Sequence, residues 1–565
     1  LPSNRARALE RLEALKGTFG RRAAREKAEL LRRLREDDLP DAGRVERLHD
    51  ALLFVRAYPD DRRVLREVEA ALAGFAERAD LDRHRPELAD TGIAGTRTHF
   101  RFYWHTARWI ARRWGRHLFV DWPEPGRWKA LLDRRLILLM PYGESLALEE
   151  GGLSTRDWVM RLKGPGETDG EFLVRRFEAL RADPLPREGL YEEMDVPLYL
   201  DPGPDTPCST RARYEGAEPI VFQTRSPARS RRTFGSDRNR PLIVTRVSRS
   251  AGEKLVSLAR ELMVVRLRDL DAFVHADPGD VTLLDCGGGL QFACLGTRPE
   301  RRQMLDAAYA FLMIRNGIVI GYVLSAALFG SAEVAFNLSP AFRGAETTYL
   351  YARTLGVVRR LFAADTFVVD PYQMGYGNPE GLKSGAWWFY YKLGFRPRDP
   401  YVLRLAEAEE RKVAERRGYR TSLARLDELA SVDMYLHLGR PRDDVLGLFS
   451  RGNVGLWIVH TLARRFGSDR ERGVEVCARE AARLLGLRSL SALSAGERLA
   501  WDRWAPLVLA LPGVARWSQG AKSRLARVVR AKGGRRESDF VQLFDAHAEL
   551  RAAVLALSRE PPPAD

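Results

Sequence analysis

Residues 311–328 read FLMIRNGIVIGYVLSAAL. Two apolar, β-branched runs flank the pair Asn316-Gly317, and a two-residue Asn-Gly loop supplies the positive backbone φ angles of the tight turn that matches strand twist. Residues 311–315 and 318–328 are therefore read as an antiparallel hairpin. Upstream, 242–247 reads as a strand, and Ser250 with Glu253 reads as a capping box opening a helix that carries Leu255, Leu258, Leu262 and Val265 on one side. A second hairpin is expected at 281–285 and 290–295 around Gly287, Gly288 and Gly289, then a short helix near 301–310. Downstream, a strand at 333–338 runs into Pro340, Arg343 and Gly344. A helix at 347–362, a strand at 366–370 and a helix at 384–393 follow.

Three local motifs in this order resemble the GNAT acyltransferases, a superfamily that passes acyl groups from coenzyme A thioesters to amines. Residues 316–322 (NGIVIGY) resemble its hairpin, 338–344 (LSPAFRG) its strand-to-helix turn, and 389–395 (FYYKLGF) its last helix. The wording of 372–397 also resembles a branch of bacterial proteins. The resemblance covers about the central quarter of the chain. It implies a mixed α/β (α+β) domain with a V-shaped, splayed sheet, acyl-coenzyme A as donor substrate, and an amine acceptor. Carried over position by position, it implies Tyr390 as the acid that protonates the departing thiolate and Glu333 as the base that takes the amine proton. Leu338, Arg343, Gly344, Ala345, Thr347 and Thr348 would hold the coenzyme, because a helix N-terminus presents unpaired N–H groups to phosphate.

The turn departs from the family pattern. Glu346 stands where the first required glycine is expected and Thr348 where the second is. A carboxylate disfavours a neighbouring pyrophosphate but stabilises the first turn of an empty helix. Acyl-coenzyme A transfer therefore stands beside two alternatives: an aminoacyl-tRNA-dependent transferase, whose relatives lack the glycine-rich loop, and a non-catalytic scaffold or binding protein with a degenerate GNAT-like domain.

Working outward, the 565 residues divide into an expected helical N-terminal domain at 1–121, an irregular α+β region with a basic linker at 122–240, the acyltransferase-like domain at 241–439 and a helical domain at 440–565. Val45, Leu48, Leu52 and Val55, then Leu65, Val68, Leu72 and Phe75, recur at helical spacing. Residues 102–122 interleave four tryptophans with arginines, a pattern of a core helix with a basic outer face or of base stacking. GPGETDGE at 164–171 lacks the Gly-Lys-Ser/Thr ending of a phosphate loop and reads as a turn.

The net charge of +16 suggests a polyanion partner, tRNA among them, although arginine exceeds lysine throughout, as codon bias in a GC-rich genome would produce. Its densest part, 225–240, reads as a solvated linker. Four scattered cysteines, of which Cys286 and Cys294 could face each other across a hairpin, exclude a disulfide framework. No histidine or cysteine spacing fits a metal, and no run is long enough for a membrane span. The expectation is a cytoplasmic protein.

Overall fold

The structure, a computed structural model, describes residues 4–181, 183–217, 219–225, 231–344 and 346–563. Twelve strands are present among them: β1 (Thr98–Phe100), β2 (Leu118–Val120), β3 (Leu198–Leu200), β4 (Ile243–Arg246), β5 (Ala276–Asp285), β6 (Leu290–Thr297), β7 (Ala307–Arg315), β8 (Ile318–Leu328), β9 (Ser331–Leu338), β10 (Thr366–Val369), β11 (Arg396–Pro397) and β12 (Met434–His437). The last nine form one mixed sheet in the order β11-β12-β10-β9-β8-β7-β6-β5-β4. Every neighbouring pair is antiparallel except β9 and β10. Helices flank the sheet in sequence and in space.

The Asn-Gly turn forms between β7 and β8 with φ of 49° at Asn316 and 84° at Gly317. A Cβ on Gly317 would stand 2.7 Å from the Tyr214 carbonyl oxygen, so the position requires glycine on both conformational and steric grounds. The helix expected near 301–310 is a correction. A single 3-10 turn at Pro299–Arg301 gives way to β7, because Ala307, Tyr309 and Phe311 enter one core, Ala310 and Leu312 enter the other, and the strand pairs with both β6 and β8. The helix Arg249–Val265 is capped two residues earlier than Ser250 and Glu253 suggest, by the Ser248 side chain accepting from the Ala251 amide.

That helix, with Asp271–Val274, covers one face of β5–β8 through Leu255, Ala259 and Leu262 against Ala293, Leu295 and Leu312. The helix Thr347–Phe362 lies on the opposite face. There a single apolar core runs from the N-terminal helices through the sheet to the C-terminal helices. A smaller second core joins β1–β3 to the helices Trp104–Trp114, Trp128–Leu139, Asp169–Glu178 and Pro184–Met194. The boundary expected at 121/122 falls inside this unit and is corrected: β1 and β2 both pair with β3. The region expected to be irregular α+β is irregular at 201–217 and 219–225, but its first part, 128–194, is largely short helices, whose few apolar residues each leave too brief a periodic signal to read. Trp104 and Trp114 are buried in it, and Arg108 and Arg112 pair with Glu178, so this stretch is a core helix with a basic outer face.

The basic stretch 225–240 lies partly outside the described residues. Its described end is not a solvated linker: Phe234 is buried against Tyr351, and the Arg353 guanidinium donates to the carbonyls of Asp237, Arg240 and Pro241. All four cysteines are buried and free, and Cys294 stands opposite Thr282 rather than Cys286. No helix among the described residues is long and apolar enough to cross a membrane.

A buried ionic network fastens the C-terminal helices to the sheet. Arg302 donates to the carbonyls of Lys532 (2.7 Å) and Gly534 (2.6 Å), Lys532 pairs with Glu537 at 2.6 Å, and Tyr309 donates to Asp280 at 2.6 Å. Removing one member of such a network leaves an uncompensated buried charge. Glu537→Gln is expected to lower stability by about 3–5 kcal/mol, read from urea denaturation followed by the fluorescence of nearby Trp504.

Candidate functional site

The strand pairing at the one parallel junction is short. Thr366, Phe367 and Val368 of β10 register with Ser331, Ala332 and Glu333 of β9, and the pairing stops there. The cause is local: β10 ends at Val369, and Asp370-Pro371 starts a helix whose first amides, on Tyr372 and Gln373, donate to the Asp370 carboxylate at 2.9 and 3.3 Å. Proline has no amide hydrogen and fixes φ, so the strand cannot continue. Residues 334–338 of β9 are then paired only on the β8 side, with no strand partner on the other edge among the described residues.

Carboxylates collect at this opening. Glu333, Val368 and Tyr435 stand side by side across β9, β10 and β12, and side chains two residues apart share a face, which brings Asp370 and Asp433 to the same side. Burial first, then the charges of Asp370 and Asp433, push the Glu333 carboxyl up to about 7. Burial also raises Asp370 and Asp433. The Tyr435 hydroxyl donates to Asp433 at 3.2 Å, and a groove of about 520 Å³ beside them is bounded by Arg398, Asp433, Tyr435 and Gly447. Neither Asp370 nor Asp433 was singled out from the sequence. The Asp-Pro pair at a strand end was a readable signal for Asp370; nothing local marks Asp433, which reaches the site only through β12.

Tyr390 lies on the helix Ala386–Lys392 and is 4% exposed, packed edge-on against Tyr351, Phe389 and Phe395. Burial, and next the Asp370 charge, raise its hydroxyl pKa, so it stays protonated at neutral pH. Asp370 therefore acts electrostatically on both Glu333 and Tyr390. Among the described residues no group of three or more His, Cys, Asp or Glu is placed to hold a metal ion.

The turn after β9 holds the remaining residues. Leu338 is buried at the strand end, and its carbonyl accepts from Arg343 Nε at 3.3 Å. Arg343 and Gly344 are exposed; Arg343 pairs with Glu380, and Gly344 has φ of 98° with open space around a notional Cβ. Ala345 lies outside the described residues. Thr347 and Thr348 form the first turn of the helix, with the Thr347 hydroxyl accepting from the Gly344 amide at 3.3 Å.

Glu346 does not point at this turn's outer surface. Its carboxylate is buried, accepts from the Tyr58 hydroxyl at 3.1 Å and meets the Arg315 guanidinium at 3.4 Å, while Arg315 also lies over the Tyr58 ring. The charge that would repel a phosphate is thereby neutralised inside the protein. Phe54 and Tyr58 of the N-terminal region pack on Phe342, which fixes the turn from behind.

The raised pKa of Glu333 has a consequence for stability. The folded protein holds this proton more tightly than the unfolded chain does, so the group's contribution is full at low pH and is lost as pH rises through about 7. Glu333→Gln keeps the shape without the charge. It is expected to exceed the parent in stability at pH 8, on the order of 1–3 kcal/mol, and to match it near pH 4, as measured by urea denaturation at both pH values.

Compared with protein-family models, with curated proteins and with solved structures, the chain finds no match in any of the three.

Proposed function

We propose that the protein is an acyltransferase that moves an acyl group from acyl-coenzyme A to an amine by direct attack. The observation that carries this reading is the separation of β9 from β10 immediately beyond Glu333, a carboxyl held near neutrality. A general base works best with a pKa close to the working pH, and the open edge of residues 334–338 offers backbone groups to the amides of a pantetheine arm.

The residues divide the work as follows. The exposed Arg343, the flexible Gly344 and the first turn at Thr347 and Thr348 would receive the pyrophosphate. Asp370 and Asp433 would draw a protonated amine into the groove by charge. Glu333 takes a proton from the amine, whose nitrogen attacks the thioester carbonyl. The C–N bond forms, the C–S bond breaks, the thiolate leaves with a proton from the Tyr390 hydroxyl, and the second proton that the nitrogen sheds as it becomes an amide restores that hydroxyl through water. No covalent enzyme intermediate is needed.

Burial of the Tyr390 hydroxyl amid aromatic rings favours a second reading, a non-catalytic binding protein in which the helix Ala386–Lys392 only packs. Calorimetric titration with acetyl-coenzyme A and a long-chain acyl-coenzyme A separates the two. Micromolar binding that Arg343→Glu abolishes supports the transferase; a folded protein that gives no heat with either ligand ends that reading. With an active donor and acceptor pair, Glu333→Gln is expected to lower kcat by about 10²–10⁴-fold while leaving coenzyme affinity unchanged.

A further inference from the structure

A cavity of about 270 Å³ lies where the helix Ala42–Ala57, the end of the helix Arg249–Val265 and the turn at 339–342 meet. It shares no lining residue with the groove beside Asp433 and Tyr435. The size is near the lower end of small-molecule sites, which favour such junctions between structural units. One wall is apolar, formed by Leu53, Ile93, Leu262 and Ile318. The charged lining is Glu46, Asp50 and Asp90 with one cation, Arg266; Asp90 is engaged by His99, Asp50 comes from the first helix, and Arg266 is the residue that ends the second.

Two features of this pair point to a ligand. Asp50 has no hydrogen-bond or ion-pair partner among the described residues, although it is half-buried. A carboxylate withdrawn from water without a partner costs stability, and here burial, with Glu46 next, raises it to about 6. Arg266 is held in place by Ser339 and by Asn337 (3.5 Å), which leaves further N–H donors of its fork free for an anion. The two side chains line one cavity and do not close on each other, so each charge faces space that a molecule of complementary charge would fill.

We propose that this cavity binds a small zwitterion with the charge pattern of a free aliphatic α-amino acid, its ammonium on Asp50, its carboxylate on Arg266 and its side chain against Leu53, Ile93 and Leu262. The inference does not depend on acyl transfer, since none of these residues belongs to the proposed donor or acceptor path.

The test is calorimetric titration of the full chain with L-leucine, 3-methylbutan-1-amine and 4-methylpentanoic acid, the last two each lacking one of the charges. Saturable binding of L-leucine is expected, with the amine and the acid at least tenfold weaker. Asp50→Asn and Arg266→Gln should each weaken leucine at least tenfold, with circular dichroism and Tm confirming the fold. Ala212→Phe, which adds a ring to the cavity wall and keeps both charged residues, should abolish binding and serves if a charge variant misfolds. Absence of saturable leucine binding overturns the proposal. So does an amine that binds as tightly as leucine, or leucine binding that survives Ala212→Phe.

Discussion

Three residue pairs between β9 and β10 set the geometry on which the candidate site depends. Parallel strands need a long crossover, supplied here by the helix Thr347–Phe362, and they need both chains to stay extended. Asp370 and Pro371 end that condition on one side, where the chain turns into a helix, while β9 runs on for five more residues beside β8. The pairing of β9 with β10 ends at Glu333 for this reason. The side chains at the opening are acidic and partly desolvated, so mutual repulsion and burial work in the same direction and hold one carboxyl near neutrality. A site of this kind costs stability and persists through the packing around it.

Much of that packing comes from sequence-distant helices. Glu346 shows how. At the start of a helix, an unpaired carboxylate would face outward and compete with any anion there. Tyr58 and Arg315 turn it inward instead, and Phe54 with Tyr58 seals Phe342 behind it. The N-terminal helices thereby form the back wall of the turn, and the C-terminal helices are bound to the other end of the sheet by Arg302, Lys532 and Glu537. Both flanks belong to the central core and are not appendages of it.

The elements read correctly from the sequence are those whose signal is local and repeated. The Asn316-Gly317 hairpin, the glycine-rich hairpin before it, and the helix Thr347–Phe362 are of this kind, since turn chemistry and apolar period agree over each of them. The misreadings are equally physical. Residues 301–310 carry apolar side chains that suit either a helix or a buried strand, and pairing with β6 and β8 decided for the strand. The helices between 122 and 200 are too short for their period to register. Ser250 competed with Ser248 for one cap, and the chain uses the first.

By itself the sequence determined the strand and helix order of the central region and placed Glu333, Arg343, Gly344 and Tyr390 on their elements, because hydrophobic period, turn residues and caps act over a few neighbouring positions. Tertiary structure alone decided the rest: that the charges of Asp370 and Asp433 act on Glu333, that Glu346 is neutralised by Arg315 and Tyr58, and that Asp50 and Arg266 line one cavity. Charge, burial and pKa depend on what lies close in space, and those neighbours come from segments as far apart in the chain as the 31 residues between Arg315 and Glu346 and the 288 between Tyr58 and Glu346.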